Sequence, residues 1–118
     1  MKFSYVTIRV ADLGKSLEFY TKILGFTEKR RIKPKPGREI VFLSGREGAG
    51  IELIAGEELN ESNGNISLTF LVSNLYESFE DLTEKNVLNI EGPFILENGV
   101  KMGHVYDPDN NKLNFIEI

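Results

Sequence analysis

Glu52 stands as a lone carboxylate in an apolar run, Ile51-Glu52-Leu53-Ile54. Burying a charge there is costly unless it is paired or hydrogen-bonded. Two kinds of partner suit it. Arg9, predicted to project from the first strand to the same face, offers the ion pair that a buried carboxylate usually finds. A ligand offers the other: Glu52 would accept its hydrogen bond, or act on it as a general base. His104 is the only histidine, ten residues before Asn114 and across the turn Asp107-Pro108-Asp109-Asn110-Asn111. Strand alternation puts it on one face with Met102 and Tyr106. An imidazole exchanges protons near neutral pH, yet it serves equally well as a hydrogen-bonded strand residue, and one alone makes no metal site. Tyr5, Phe42 and Tyr106 offer aromatic walls to a small flat ligand, or else core. The chain has no cysteine, which excludes disulfides, thiolate metal sites and cysteine nucleophiles.

These residues need strands to present them. Val6, Ile8 and Val10 alternate with Tyr5, Thr7 and Arg9, predicting a strand over 3–10 with one apolar and one polar face. Asp12 is placed as an N-cap, and Leu13, Leu17, Tyr20 and Leu24 follow at helical spacing before Gly25 closes the helix. Strands are predicted near 26–33, 38–44 and 49–55. Lys35-Pro36-Gly37 turns between the first two. Gly45-Arg46-Glu47-Gly48-Ala49-Gly50 lacks the following helix and the lysine of a phosphate loop, so it reads as a hairpin. Lys29-Arg30-Arg31 and Lys33-Pro34-Lys35 read as a solvated strand end and turn.

The order then repeats. Val10-Ala11-Asp12-Leu13-Gly14-Lys15-Ser16-Leu17-Glu18 is echoed by Val72-Ser73-Asn74-Leu75-Tyr76-Glu77-Ser78-Phe79-Glu80, an offset of 62 residues from Val10 to Val72. Ile66, Leu68, Phe70 and Val72 alternate against Asn65, Ser67, Thr69 and Leu71. Asn74 caps a second helix with Leu75, Phe79 and Leu82 inward. Strands near 91–96, 100–106 and 111–117 follow, with Asn98-Gly99 at one turn. The chain of 118 residues is thus expected to be one domain: a first module over 1–56, a connector over 57–64 and a second module over 65–118. A net charge of −4 gives no footprint for nucleic acid. No apolar stretch suits a signal segment or a membrane span, and the expected location is the cytoplasm.

Two stretches carry a resemblance. One is Ile8-Arg9-Val10-Ala11-Asp12-Leu13, continuing through Ser16-Leu17-Glu18-Phe19-Tyr20 to Leu24-Gly25-Phe26. The other is Asp107-Pro108-Asp109 ahead of the last strand. Together they resemble the vicinal oxygen chelate superfamily, which holds glyoxalases, fosfomycin- and bleomycin-resistance proteins and extradiol dioxygenases. The resemblance covers essentially the whole chain. It implies an α+β fold of two tandem βαβββ modules forming a curved mixed sheet, with helices on the convex face. It also implies a homodimer and a ligand trough between modules or subunits.

In metal-dependent members, the first and fourth strands of each module supply four ligands. The resemblance puts the first pair at Tyr5 and Glu52, and the offset carries them to Ser67 and Asn114. Imidazole and carboxylate donors suit such an ion, whereas three of these four are neutral oxygens. The expectation is therefore no resident divalent metal. In several metalloenzymes of the superfamily the place of His104 resembles a substrate-contacting tyrosine or histidine. Arg9 resembles the arginine with which glyoxalases hold a glutathione carboxylate, a match one residue deep.

The functional expectation is a metal-independent small-molecule binder of the bleomycin-resistance type, using Tyr5, Arg9, Glu52, Ser67, His104 and Asn114. The competing expectation is a glyoxalase-like lyase or isomerase. Glu52 would then act as base and His104 assist, with a metal weakly held or brought by the substrate. A third is a scaffold domain whose trough is closed and stabilised by Glu52–Arg9. Neither membrane nor nucleic acid is expected as a partner.

Overall fold

Strand β1 (Tyr5–Val10) keeps the alternation read from its residues, with Ile8 and Val10 buried and Tyr5 and Arg9 exposed. The computed structural model describes residues 5–45, 48–59, 67–96 and 99–117. Arg46, Glu47, Asn65, Ile66, Asn98 and most of the expected connector lie outside the described residues. Two compact units divide the chain, Met1–Glu61 and Ser62–Ile118.

In the first unit, Asp12 caps helix α1 (Leu13–Glu18), its carboxylate accepting the Lys15 amide at 3.0 Å. This satisfies one of the amides that a helix start leaves without a partner. The helix then widens into a π turn over Phe19–Ile23. The extra residue changes which side chains turn inward. Ser16, Phe19 and Tyr20 are buried, while Leu13, Leu17 and Leu24 of the expected stripe are only half-buried. Gly25, at φ +83°, ends the element, and the Phe26 amide reaches back to the Tyr20 carbonyl at 2.9 Å.

Strands β2 (Thr27–Lys35), β3 (Arg38–Ser44) and β4 (Gly50–Ala55) complete a mixed sheet of order β1-β4-β3-β2, with β1 parallel to β4 and the rest antiparallel. The apolar face, formed by Ile8, Val10, Val41, Leu43, Ile51 and Leu53, is buried, and α1 packs on β4. β3 and β4 are antiparallel neighbours joined through the glycine-rich stretch, as a hairpin requires. β2 is an edge strand exposed along its whole length.

The second unit repeats the plan. Asn74 caps α2 (Leu75–Glu84), accepting the Glu77 amide at 3.1 Å, and Leu75 and Leu82 are buried. Asn86, at φ 64°, occupies the left-handed position after the helix that glycine fills in the first unit. β5 (Ser67–Val72), β6 (Glu91–Ile95), β7 (Lys101–Tyr106) and β8 (Lys112–Glu117) form a mixed sheet of order β5-β8-β7-β6. The α2 N-terminus is held by the Glu117 carboxylate, which accepts the Leu75 amide at 3.0 Å. Asp107 knots the β7–β8 turn by accepting the amides of Asp109 and Asn111. Two mixed four-stranded sheets, each with its own helix, make this the α+β fold of paired βαβββ modules.

Candidate functional site

The offset of 62 residues survives as strand register. Thr7 lies opposite Glu52, and Glu52 opposite Phe42. In the second module Thr69 lies opposite Asn114, and Asn114 opposite His104. Each set crosses the sheet on the face away from the helix. Each continues to the edge strand, at Arg30 in the first module and Glu91 in the second. The internal repeat therefore lays down two matched rows of side chains, one per module.

In the first row Glu52 is buried, at 8% exposure, and accepts the Thr7 hydroxyl at 2.9 Å. This corrects the expected ion pair: Arg9 binds Glu57 instead, at 2.9 Å. Register explains the choice. Thr7 stands directly across the ladder from Glu52, whereas Arg9 is opposite Ile54, one diagonal step away and close to the strand end that leads to Glu57, whose carboxylate it takes. The scaffold reading loses the pair that was to stabilise it. Among the described residues no cation lies at ion-pair distance from Glu52. Its second oxygen keeps the capacity to accept a hydrogen bond or a proton.

Tyr5 begins β1 on the same face, 46% exposed, with its ring edge-on to Phe42 at 5.9 Å. Phe42 in turn carries the Arg30 guanidinium 4.4 Å above its ring. Arg31, from the same basic stretch, is tied to Glu28 at 2.8 Å and to Glu39 at 3.2 Å. The hydrogen bond to Glu28 is the main cause holding its guanidinium above the usual value.

In the second row the structure brings Ser67 and Asn114 together. The Asn114 amide donates to the Ser67 hydroxyl at 3.2 Å and to the Thr69 hydroxyl at 3.3 Å. His104 is 9% exposed, its ring 5.3 Å from that of Phe94. Its Nδ1 is buried with no hydrogen-bond partner among the described residues. Tyr106 shares this face and donates its hydroxyl to Glu91. That hydrogen bond first, then burial and the carboxylate charge, raise the phenol above the ordinary tyrosine range.

Thr7, Thr69, Glu57, Glu91 and Phe94 were not singled out from sequence. The two threonines could have been, since the offset pairs them with each other. Apart from these rows, a surface groove of about 550 Å³ runs along α1 and the start of β2, lined by Leu17, Thr21, Lys22 and Phe26. It contains none of the expected site residues.

The family model of the glyoxalase/bleomycin resistance protein/dioxygenase superfamily matches residues 2–115. The chain belongs to this superfamily. Among superfamily proteins it is similar to the lactoylglutathione lyase of Escherichia coli O157:H7, 31% identical over 128 residues that cover 99% of this chain and 93% of that protein. The trypanothione-dependent glyoxalase I of Leishmania major superposes with a TM-score of 0.78 at 25% identity, covering 99% of this chain and 86% of that one. TnmS3, an antibiotic binding protein from Streptomyces sp. CB03234, superposes with a TM-score of 0.79 at 16% identity, over 99% and 95% of the two chains, a likeness of fold alone.

Many superfamily enzymes work through a divalent ion, and the donors here do not fit one. Of the four places, Glu52 alone brings an anionic ligand. Asn114 turns its N–H group toward its neighbours, and a serine and a phenol complete the set. Among the described residues no group of three or more histidine, aspartate or glutamate side chains converges. No described helix is long and apolar enough to cross a membrane.

Proposed function

We propose that this chain binds a small organic molecule on the polar sheet faces of its modules without a resident metal. The observation that carries the reading is the Asn114 amide donating to Ser67 and Thr69, because a donor group stands where an ion would need a lone pair. Tyr5 and Phe42 supply aromatic area, and Glu52 an acceptor set in a dry strand. Arg9, Ser67 and His104 complete the binding groups. A cytoplasmic homodimer belongs to the same reading and follows the habit of the superfamily.

The test is elemental analysis of the purified protein, then thermal unfolding with EDTA, with nickel, zinc, iron or manganese, and with a panel of aromatic and anionic compounds. The expected result is no stoichiometric metal and no metal-induced shift. At 100 times its Kd, a true ligand adds about 2.7 kcal/mol to stability. That gain is lost in Tyr5→Ala.

A second reading has a specific observation behind it: Glu52 is a buried carboxylate with no cation at ion-pair distance among the described residues, in a chain similar to a lactoylglutathione lyase. Here Glu52 is the base and His104 assists. Stoichiometric metal, together with lactoylglutathione lyase activity lost in Glu52→Gln, would establish this reading over the first.

A further inference from the structure

The second row ends at Glu91, an exposed carboxylate that no cation of the described residues neutralises. Lys112, opposite Tyr106 on the same face, forms no ion pair with it there. Beside Glu91 stands Phe94, 43% exposed, its ring against His104. Register slips between Glu91 and Phe94, so both are brought to the face that holds His104 and Met102. The buried Nδ1 of His104 lacks a donor or acceptor among the described residues, and such an orphan calls for explanation.

The first module shows what completes such an edge. There a guanidinium, that of Arg30, lies over the aromatic ring of the row at 4.4 Å. In the second module the register puts Glu91, a carboxylate, at the edge place that Arg30 holds in the first. The second module thus sets His104 where the first has Phe42, with the Phe94 ring beside it, and among the described residues a carboxylate rather than a cation stands at the edge.

We propose that Glu91, Phe94 and His104 form a subsite for a planar delocalised cation, an amidinium or guanidinium carried on a small organic molecule. The inference rests on the metal-independent binding reading and adds the charge of the ligand. A carboxylate takes such a cation through two parallel N–H···O bonds. An exposed ion pair alone contributes little, so stacking on Phe94 supplies the rest. The unpartnered Nδ1 of His104 offers the cation a further hydrogen-bond acceptor.

Benzamidine, benzoate and benzyl alcohol, titrated onto the intact chain in EDTA and followed by ligand-observed NMR, test this. Benzamidine is expected to bind at least about tenfold more tightly than either control, as charge-assisted recognition requires. Glu91→Gln and Phe94→Ala each remove most of that preference. Glu91→Lys turns it toward benzoate, and Glu80→Gln, an equal change of charge on α2, leaves it intact. Equal binding of all three probes, or benzamidine binding untouched by Glu91→Gln and Glu91→Lys, would overturn the subsite. Metal found in the purified protein would overturn the metal-independent reading without altering this selectivity, so the two failures are distinguishable.

Discussion

The two modules hold the same row with opposite chemistry. In the first, Thr7–Glu52–Phe42–Arg30 puts the carboxylate at the dry centre and the cation at the edge. In the second, Thr69–Asn114–His104–Glu91 puts a neutral amide at the centre and the carboxylate at the edge. The threonine is common to both, and its role differs. Thr7 donates to a buried acceptor, whereas Thr69 accepts from an amide that also has Ser67. A duplicated scaffold keeps its register while the charges on it are free to move. What remains shared is geometry, and what differs is the ligand each face can recognise.

The helix sides diverge in a compensating way, and this gives the largest expected effect. Gly103 lies tight against the Phe79 ring, so that an added Cβ would clash with it. At the matching places of the first module stand Val41 and Leu17. Gly103→Val should destabilise the protein by about 3 kcal/mol through overpacking, measured by urea unfolding. Adding Phe79→Leu should restore part of the loss, since it relieves the clash with the ring while the Glu91 carbonyl still stands 3.0 Å from the new Cβ. Additive losses would break the correspondence.

The threonines come next. Thr7→Val leaves an oxygen of buried Glu52 unsatisfied and should cost about 1–3 kcal/mol. Thr69→Val removes an exposed contact and should cost less than about 0.5 kcal/mol. Equal losses in the same unfolding measurement would show that the two rows do not differ as described.

The smallest effect is a titration. Tyr106 should ionise above the ordinary tyrosine range, and Glu91→Gln should return it there, read by ultraviolet difference spectra with Tyr106→Phe as reference. The sign follows from the raised folded-state value. The contribution of this pair to stability is complete below the unfolded tyrosine pKa and is lost as pH rises through the higher folded one.

The fold was legible because it is written twice. Caps at Asp12 and Asn74, and alternation in β1 and β5, set the same elements in the same order, and the offset located the opposed positions. The Thr7–Glu52 pairing was not legible. Alternation tells which face a side chain takes, but a parallel ladder also needs the stagger between strands, and that puts Thr7 rather than Arg9 across from Glu52. The π turn escaped for a similar reason: a period of 3.6 residues assumes an unbroken helix, and the inserted residue brings Phe19 inward beside Tyr20. Glu91 and Phe94 were hidden by the slip at Gly92-Pro93, which breaks the alternation that would have put them on one face.

The edge strands limit how copies of this chain can join. β2 carries Lys33-Pro34-Lys35, and β6 carries Pro93, so neither offers an unbroken line of amides to a strand arriving from outside. Lysine and proline at a sheet border discourage edge-to-edge growth. Strand addition from another copy of this chain should therefore not run on into fibrils at β2 or β6.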